Sequence, residues 1–207
     1  MRHVPALLAL LLMTAPACKP LLYPAARAFG SPAESYLKDC RAAFERLQAG
    51  RSTLRLVVHP AADPRRPQAY PGTAEQAVAR LRNAGWARCE GATDPPPVAS
   101  TPLGPNQLRD LWTRARAYRQ WAAAEHPAGE ALLCLEVFAG PTGEIAGAHL
   151  YVIEPSGQVA YVRLMNSHHF GPHPPAGAGE AVALLVKAFL RDQQRRSDEV
   201  VPPYGVG

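Results

Sequence analysis

Asn166-Ser167-His168-His169-Phe170-Gly171-Pro172-His173 is the densest run of potential metal ligands in the chain. Three imidazoles fall within six residues, and histidine nitrogen suits both zinc and copper. On a continued strand His168 and His169 would point to opposite faces. Proline at 172, 174 and 175 instead marks an exposed loop. Two readings follow. One is a metal site on His168, His169 and His173, with His149 as a fourth ligand if the strand register brings it to the same end. The other, favoured by the prolines, is a solvated histidine-rich loop.

Other chemistry is sparse. The chain lacks Gly-x-Ser-x-Gly, His-Glu-x-x-His, a Walker A loop and the kinase set. Gly177-Ala178-Gly179 precedes a helical pattern but has neither the preceding strand nor the third glycine of a dinucleotide fingerprint. Glu136 sits inside an apolar strand and is the one acid whose burial is in question. A buried carboxylate can act as a general acid, but a Glu on the solvent face of a sheet is the commoner case. Arg109, Arg114, Arg116 and Arg119 line a helix whose apolar stripe is Leu108, Leu111, Trp112, Ala115 and Tyr118, and the arginines are expected mostly to face solvent. No catalytic constellation emerges.

The first eighteen residues, MRHVPALLALLLMTAPAC, read as an export signal. Arg2 supplies the positive end, and Val4–Met13 is an apolar run too short to span a bilayer and right for a secretory segment. Ala15-Pro16-Ala17 is a small-x-small cleavage site directly before Cys18, which resembles a bacterial lipobox in which Cys18 is diacylated and becomes the mature N-terminus. Ala15 stands where the lipobox usually has Leu. Plain cleavage after Ala17, or after Ala28, would leave a soluble periplasmic protein. Lys19 in place of Asp implies, by resemblance to Gram-negative sorting, an outer-membrane anchor facing the periplasm. An oxidising compartment permits disulfides. With Cys18 lipidated, three cysteines remain, and the expected pair is Cys40–Cys89, with Cys134 a buried apolar thiol in LLCLEVF.

These residues must be carried by elements. Ser31–Glu34 and Thr73–Gln76 both read as capping boxes opening helices. Tyr36, Leu37, Cys40, Phe44 and Leu47 form one helical stripe; Ala77, Val78, Leu81 and Ala84 form another. Leu54–Val58 is a short strand, 60–72 a proline-rich loop, and Trp86–Cys89 a weak strand. Residues 131–138, 145–153 and 158–164 read as strands, the last two joined by the turn Glu154-Pro155-Ser156-Gly157. Val182, Leu185, Ala188 and Phe189 mark a final helix. Leu133, Leu135, Val152, Val162 and Leu185 are the core candidates. The fold class is α+β, a single two-layer domain with a mainly antiparallel sheet packed by three to four helices on one face. The organisation is a signal peptide over 1–17, a tether over 18–30, the domain over 31–192 and a flexible tail over 193–207.

Element order and two motifs resemble a known pattern. Gly129-Glu130-Ala131-Leu132-Leu133 resembles a "GAD-hydrophobic" strand start with Glu130 for Asp. Glu154-Pro155-Ser156-Gly157-Gln158-Val159 resembles a "D-x-x-(S/T)-G-x-V" hairpin turn with Glu154 for the acid. Exported bacterial lipoproteins with the fold of the TolB amino-terminal domain, CsgG and LpoB share these features over a span like 51–192. The resemblance implies a non-catalytic module that binds other envelope proteins; no cofactor is expected, with zinc or copper on His168, His169 and His173 as the alternative. The net charge of +5, modest and almost all arginine, and the expected export argue against nucleic-acid binding through Arg65-Arg66 or Arg195-Arg196.

Overall fold

The computed structural model describes residues 32–65, 68–98, 107–126, 129–170 and 173–195. The expected signal peptide, the tether with Cys18 and most of the tail lie outside the described residues. Contacts divide the chain into Met1–Lys38 and a larger unit, Asp39–Gly207, which holds the whole sheet.

The first helix, α1, spans Pro32–Ala49 and ends one residue before Gly50. β1 (Arg55–Val58) follows, then two very short strands, β2 (Ala62–Asp63) and β3 (Gln68–Ala69), within the region read from sequence as plain loop. Their presence has a local cause. The Asp63 carboxylate is 2% exposed and accepts from the Arg65 amide at 2.9 Å and the Ala139 amide at 3.2 Å, which fastens the loop along the sheet. α2 covers Thr73–Asn83. Its capping differs from the expected box. Gly72, at φ 77°, is the N-cap, and the Thr73 hydroxyl instead accepts from the Ala61 amide at 2.9 Å and donates to the Tyr70 carbonyl at 2.7 Å. Thr73 thus ties the loop to the helix rather than closing the helix on itself.

β4 (Cys89–Gly91), α3 (Gln107–Glu125), β5 (Glu130–Ala139), β6 (Ile145–Ile153), β7 (Val159–Asn166), the one-turn α4 (Ser167–Phe170) and α5 (Ala178–Gln193) complete the chain. β1 lies between β4 and β5 and is parallel to both. β2 continues along the same edge of β5, and β5, β6 and β7 form an antiparallel meander. The 154–157 turn between β6 and β7 closes with the Glu154 amide on the Gln158 carbonyl at 2.9 Å, and Gly157 takes φ 78°, a conformation that costs a side-chain residue more than glycine. The sheet is mixed but mostly antiparallel, and the class is α+β.

Strand alternation sorts the side chains onto two faces. Leu56, Val58, Leu133, Leu135, Val137, Ala148, Leu150 and Val152 share one face, where they form the main core with α1, α2 and α5. All five predicted core residues are buried, at most 5% exposed. The helices are not confined to that face. α3 lies across the other, where Leu111, Ala115, Tyr118 and Ala122 cover Leu132, Cys134, Glu136, Phe138, His149 and Tyr151. Each parallel crossover must place its helix above or below the sheet, and β1–α2–β4 and β4–α3–β5 step to opposite sides of β1.

Among the described residues no disulfide forms. Cys89 is a free thiol, 1% exposed, and burial pushes its pKa up to about 12. The structure shows no bond between Cys40 and Cys89. Cys89 opens β4 opposite Leu56 on the core face, while Cys40 sits half-buried on α1. Cys134 is a fully buried free thiol, as its apolar strand suggests.

Candidate functional site

Beneath α3 lies a polar cluster that the sequence did not bring together. Glu136, mid-strand on β5, is 1% exposed, so the expectation of a solvent-facing carboxylate is overturned. The reason is geometric. β5 is central and both of its faces are covered, so the apolar alternation that would mark a solvent side is missing.

Four donors meet this carboxylate. On Oε1, the Arg114 guanidinium donates from Nε at 2.5 Å and also from a terminal nitrogen, and the Tyr118 hydroxyl donates at 2.8 Å. On Oε2, His149 Nδ1 stands at 3.1 Å and the Tyr151 hydroxyl at 3.1 Å. Arg114 and Tyr118 are one helical turn apart on α3; His149 and Tyr151 are two residues apart on β6, hence on one face of the strand. Register does the rest, since Glu136 pairs directly with His149. Arg114 is 2% exposed, which reverses the expectation that it faces solvent. A helix covering one full sheet face buries a wide stripe, and Arg114 falls inside it with Leu111, Ala115 and Tyr118.

The electrostatics are those of a closed pair. Desolvation pushes the Glu136 pKa up, but the hydrogen bonds from His149 and Arg114 outweigh it and hold the carboxyl below its ordinary value. Desolvation likewise depresses Arg114, and its bond to Glu136 more than restores the charge. Tyr118 and Tyr151 have pKa values raised well above normal, first by burial and then by the neighbouring carboxylate, so both stay protonated as donors. With three contacts on Oε1 and two on Oε2, the carboxylate has no lone pair directed at a substrate. The arrangement fixes α3 to the sheet.

The predicted metal ligands fare differently. His149 is 4% exposed, with Nδ1 on the Glu136 carboxylate. His169, at the end of α4, is exposed, with Nδ1 at 2.7 Å from the Asn166 side-chain oxygen. His173 is exposed as well, and the side chain of His168 lies outside the described residues. Among the described residues no three His, Cys, Asp or Glu side chains gather as a metal site.

A second feature lies at the C-terminal end of α3. A groove of about 160 Å³ runs between the end of α3 and the β6–β7 turn, with Ala122, Leu132 and Ile153 as its apolar floor and His126, Glu130 and Glu154 around it. Its acids are engaged: Arg46 holds Glu154, and Arg55 holds Glu130. Ser156 also donates to Glu154 at 2.6 Å, which makes Glu154 the brace of its turn. Tyr151 and the pairing of Arg114 with Glu136 escaped sequence reasoning; the available signal was a lone Glu and a lone Arg, each placed in an apolar stripe. No family model, no curated protein and no solved structure matches this chain.

Proposed function

We propose that this protein is a non-catalytic cell-envelope lipoprotein that acts as a protein-interaction module. The observation that carries the reading is the leader: Arg2, the apolar run Val4–Met13 and Ala15-Pro16-Ala17 immediately before Cys18. Lipid on Cys18 would anchor the chain at the outer membrane, facing the periplasm. About a dozen tether residues reach roughly 20 Å if flexible, so the domain would work close to its membrane. Effective concentration toward a neighbouring envelope partner then rises without a strong interface.

The geometry supports a binding role in two ways. The buried ionisable groups around Glu136 are consumed in mutual hydrogen bonds. β7 pairs only with β6 among the described strands, so its outer edge, together with the 165–177 segment, is the surface we assign to recognition. Among the described residues no helix is long and apolar enough to cross a membrane.

Mass spectrometry of the mature protein from envelopes tests the anchor; a diacylglyceryl group on Cys18 is expected, and an unmodified mature N-terminus at Phe29 would overturn it. Crosslinking in intact envelopes tests the module, comparing wild type with Cys18→Ala. The competing reading is a periplasmic zinc or copper protein using His168, His169 and His173. Stoichiometric metal in tag-free protein, lost together with activity in the triple alanine variant, would establish it instead.

A further inference from the structure

His59 follows β1 directly and is 6% exposed. Its Nδ1 lies 2.9 Å from the Asp94 carbonyl oxygen, an acceptor only, so Nδ1 carries the proton in the neutral ring. Nε2 is then left with its lone pair, and it is buried without a hydrogen-bond partner. Two aromatic rings close around the imidazole. Trp121, on the last turns of α3, meets it edge-on at 5.1 Å, and His126, just past the helix end, does so at 5.4 Å. Trp121 and His126 also contact one another at 4.5 Å. The C-terminal end of α3 is thus seated on the end of β1 through three mutually perpendicular rings, about two helical turns beyond the Arg114–Glu136 bond.

We propose that His59 is an acid-sensitive latch: neutral, it holds the end of α3 on the sheet, and protonation on mild acidification releases that end. A proton on Nε2 would place a charged donor with no acceptor inside an aromatic cage. It would also stand beside the His126 ring, which is 19% exposed. The acids nearby are poorly placed to compensate. Glu130, at the start of β5, is 3.9 Å from His126 but is held by Arg55 of β1, which also engages Glu90 of β4. Glu125 of α3 accepts from Trp121 Nε1 at 2.9 Å. Asp94, on the segment after β4, presents its carbonyl to His59 and has an exposed side chain. Burial accordingly lowers the His59 pKa, with His126 acting in the same direction and Asp94 opposing.

The sign follows from linkage. The open state takes up the proton near the ordinary histidine value and the latched state does so only lower. As pH falls below about 6.5 the equilibrium moves toward opening by roughly tenfold per unit, until the latched-state pKa is passed. Opening would lift Ala122 and His126 from the groove above Leu132 and Ile153, exposing apolar sheet surface only in acid. The latch does not depend on lipidation or on any particular partner.

Hydrogen exchange of the full chain, corrected for intrinsic rate, tests it over pH 7.5 to 5.0. Residues 119–126 are expected to lose protection by ten-fold or more, while β5 and β6 keep theirs. His59→Phe keeps an aromatic ring without a titratable nitrogen and is expected to abolish the pH dependence. His126→Asn, which removes a group that lowers the His59 pKa in the latched state, is expected to reduce the loss of protection gained in acid. The same opening in His59→Phe as in wild type, or loss of protection in β5 and β6 at the same pH, would overturn the proposal. Should His59→Phe not fold, the wild-type imidazole resonance of His59 decides: titration coincident with the opening of 119–126 supports the latch, and titration without any opening overturns it.

Discussion

Glu136 keeps its charge in the interior because Arg114, Tyr118, His149 and Tyr151 replace the water it lost. Removing one partner strands the other, so Arg114→Ala is expected to cost about 3–5 kcal/mol in urea unfolding. Replacing both members, Arg114→Met with Glu136→Leu, should cost far less, because neither charge is left unpaired. Acid has a definite sign here. The folded-state pKa of Glu136 lies below its ordinary value of 4.5, so its stabilisation is present above that value and is lost as pH falls through the lower, folded one. Unfolding midpoints of wild type and Glu136→Gln, measured from pH 6 to 3, should converge toward the acid end. Cys89 and Cys134 belong to the same scale. Both thiols are at most 1% exposed, and burial raises both pKa values, so native protein should leave them unalkylated at neutral pH and unfolding should expose them. Peptide mapping of protein alkylated before and after denaturation checks this.

The elements are held by different forces. α5 rests on apolar contact: Val182, Leu185, Val186 and Phe189 are all fully buried. Leu185→Ala is expected to cost about 2–5 kcal/mol, read from chemical denaturation; a change under about 0.5 kcal/mol is what a surface position would give. α3 is held instead by the polar bonds of Arg114 and Tyr118 near its middle and by the rings of Trp121 and His126 at its C-terminal end. The 166–173 segment contrasts with both. His169 and His173 are exposed, so the His168/His169/His173 triple alanine variant should unfold within about 0.5 kcal/mol of wild type, with or without a chelator.

At the scale of the molecule, one face of the sheet carries the apolar core and the other carries charge under a single helix. The two faces are expected to fail differently. Core substitutions such as Leu185→Ala act on global stability, whereas changes under α3 act first on how firmly that helix is seated. Cys18→Ala is expected to leave the thermal unfolding of the purified domain unchanged and to shift the protein from the membrane to the soluble fraction of the envelope, measured by fractionation.

Local pattern alone carried much of this structure. The β5–β7 meander, the stripes of α2, α3 and α5, and the buried Leu133, Leu135, Val152, Val162 and Leu185 are legible because period and turn chemistry are properties of a few adjacent residues. Gly157 in the 154–157 turn is another such case. Tertiary structure decided the rest. Whether Glu136 meets water depends on what covers β5, and that was fixed by the side to which the β4–α3–β5 crossover steps. Arg114 follows the same choice, since its partner lies 22 residues away on a strand it reaches only after that crossover. His59 has no sequence signal at all. Its cage is assembled from the end of β1, the segment after β4 and the end of α3, three places that no local pattern connects.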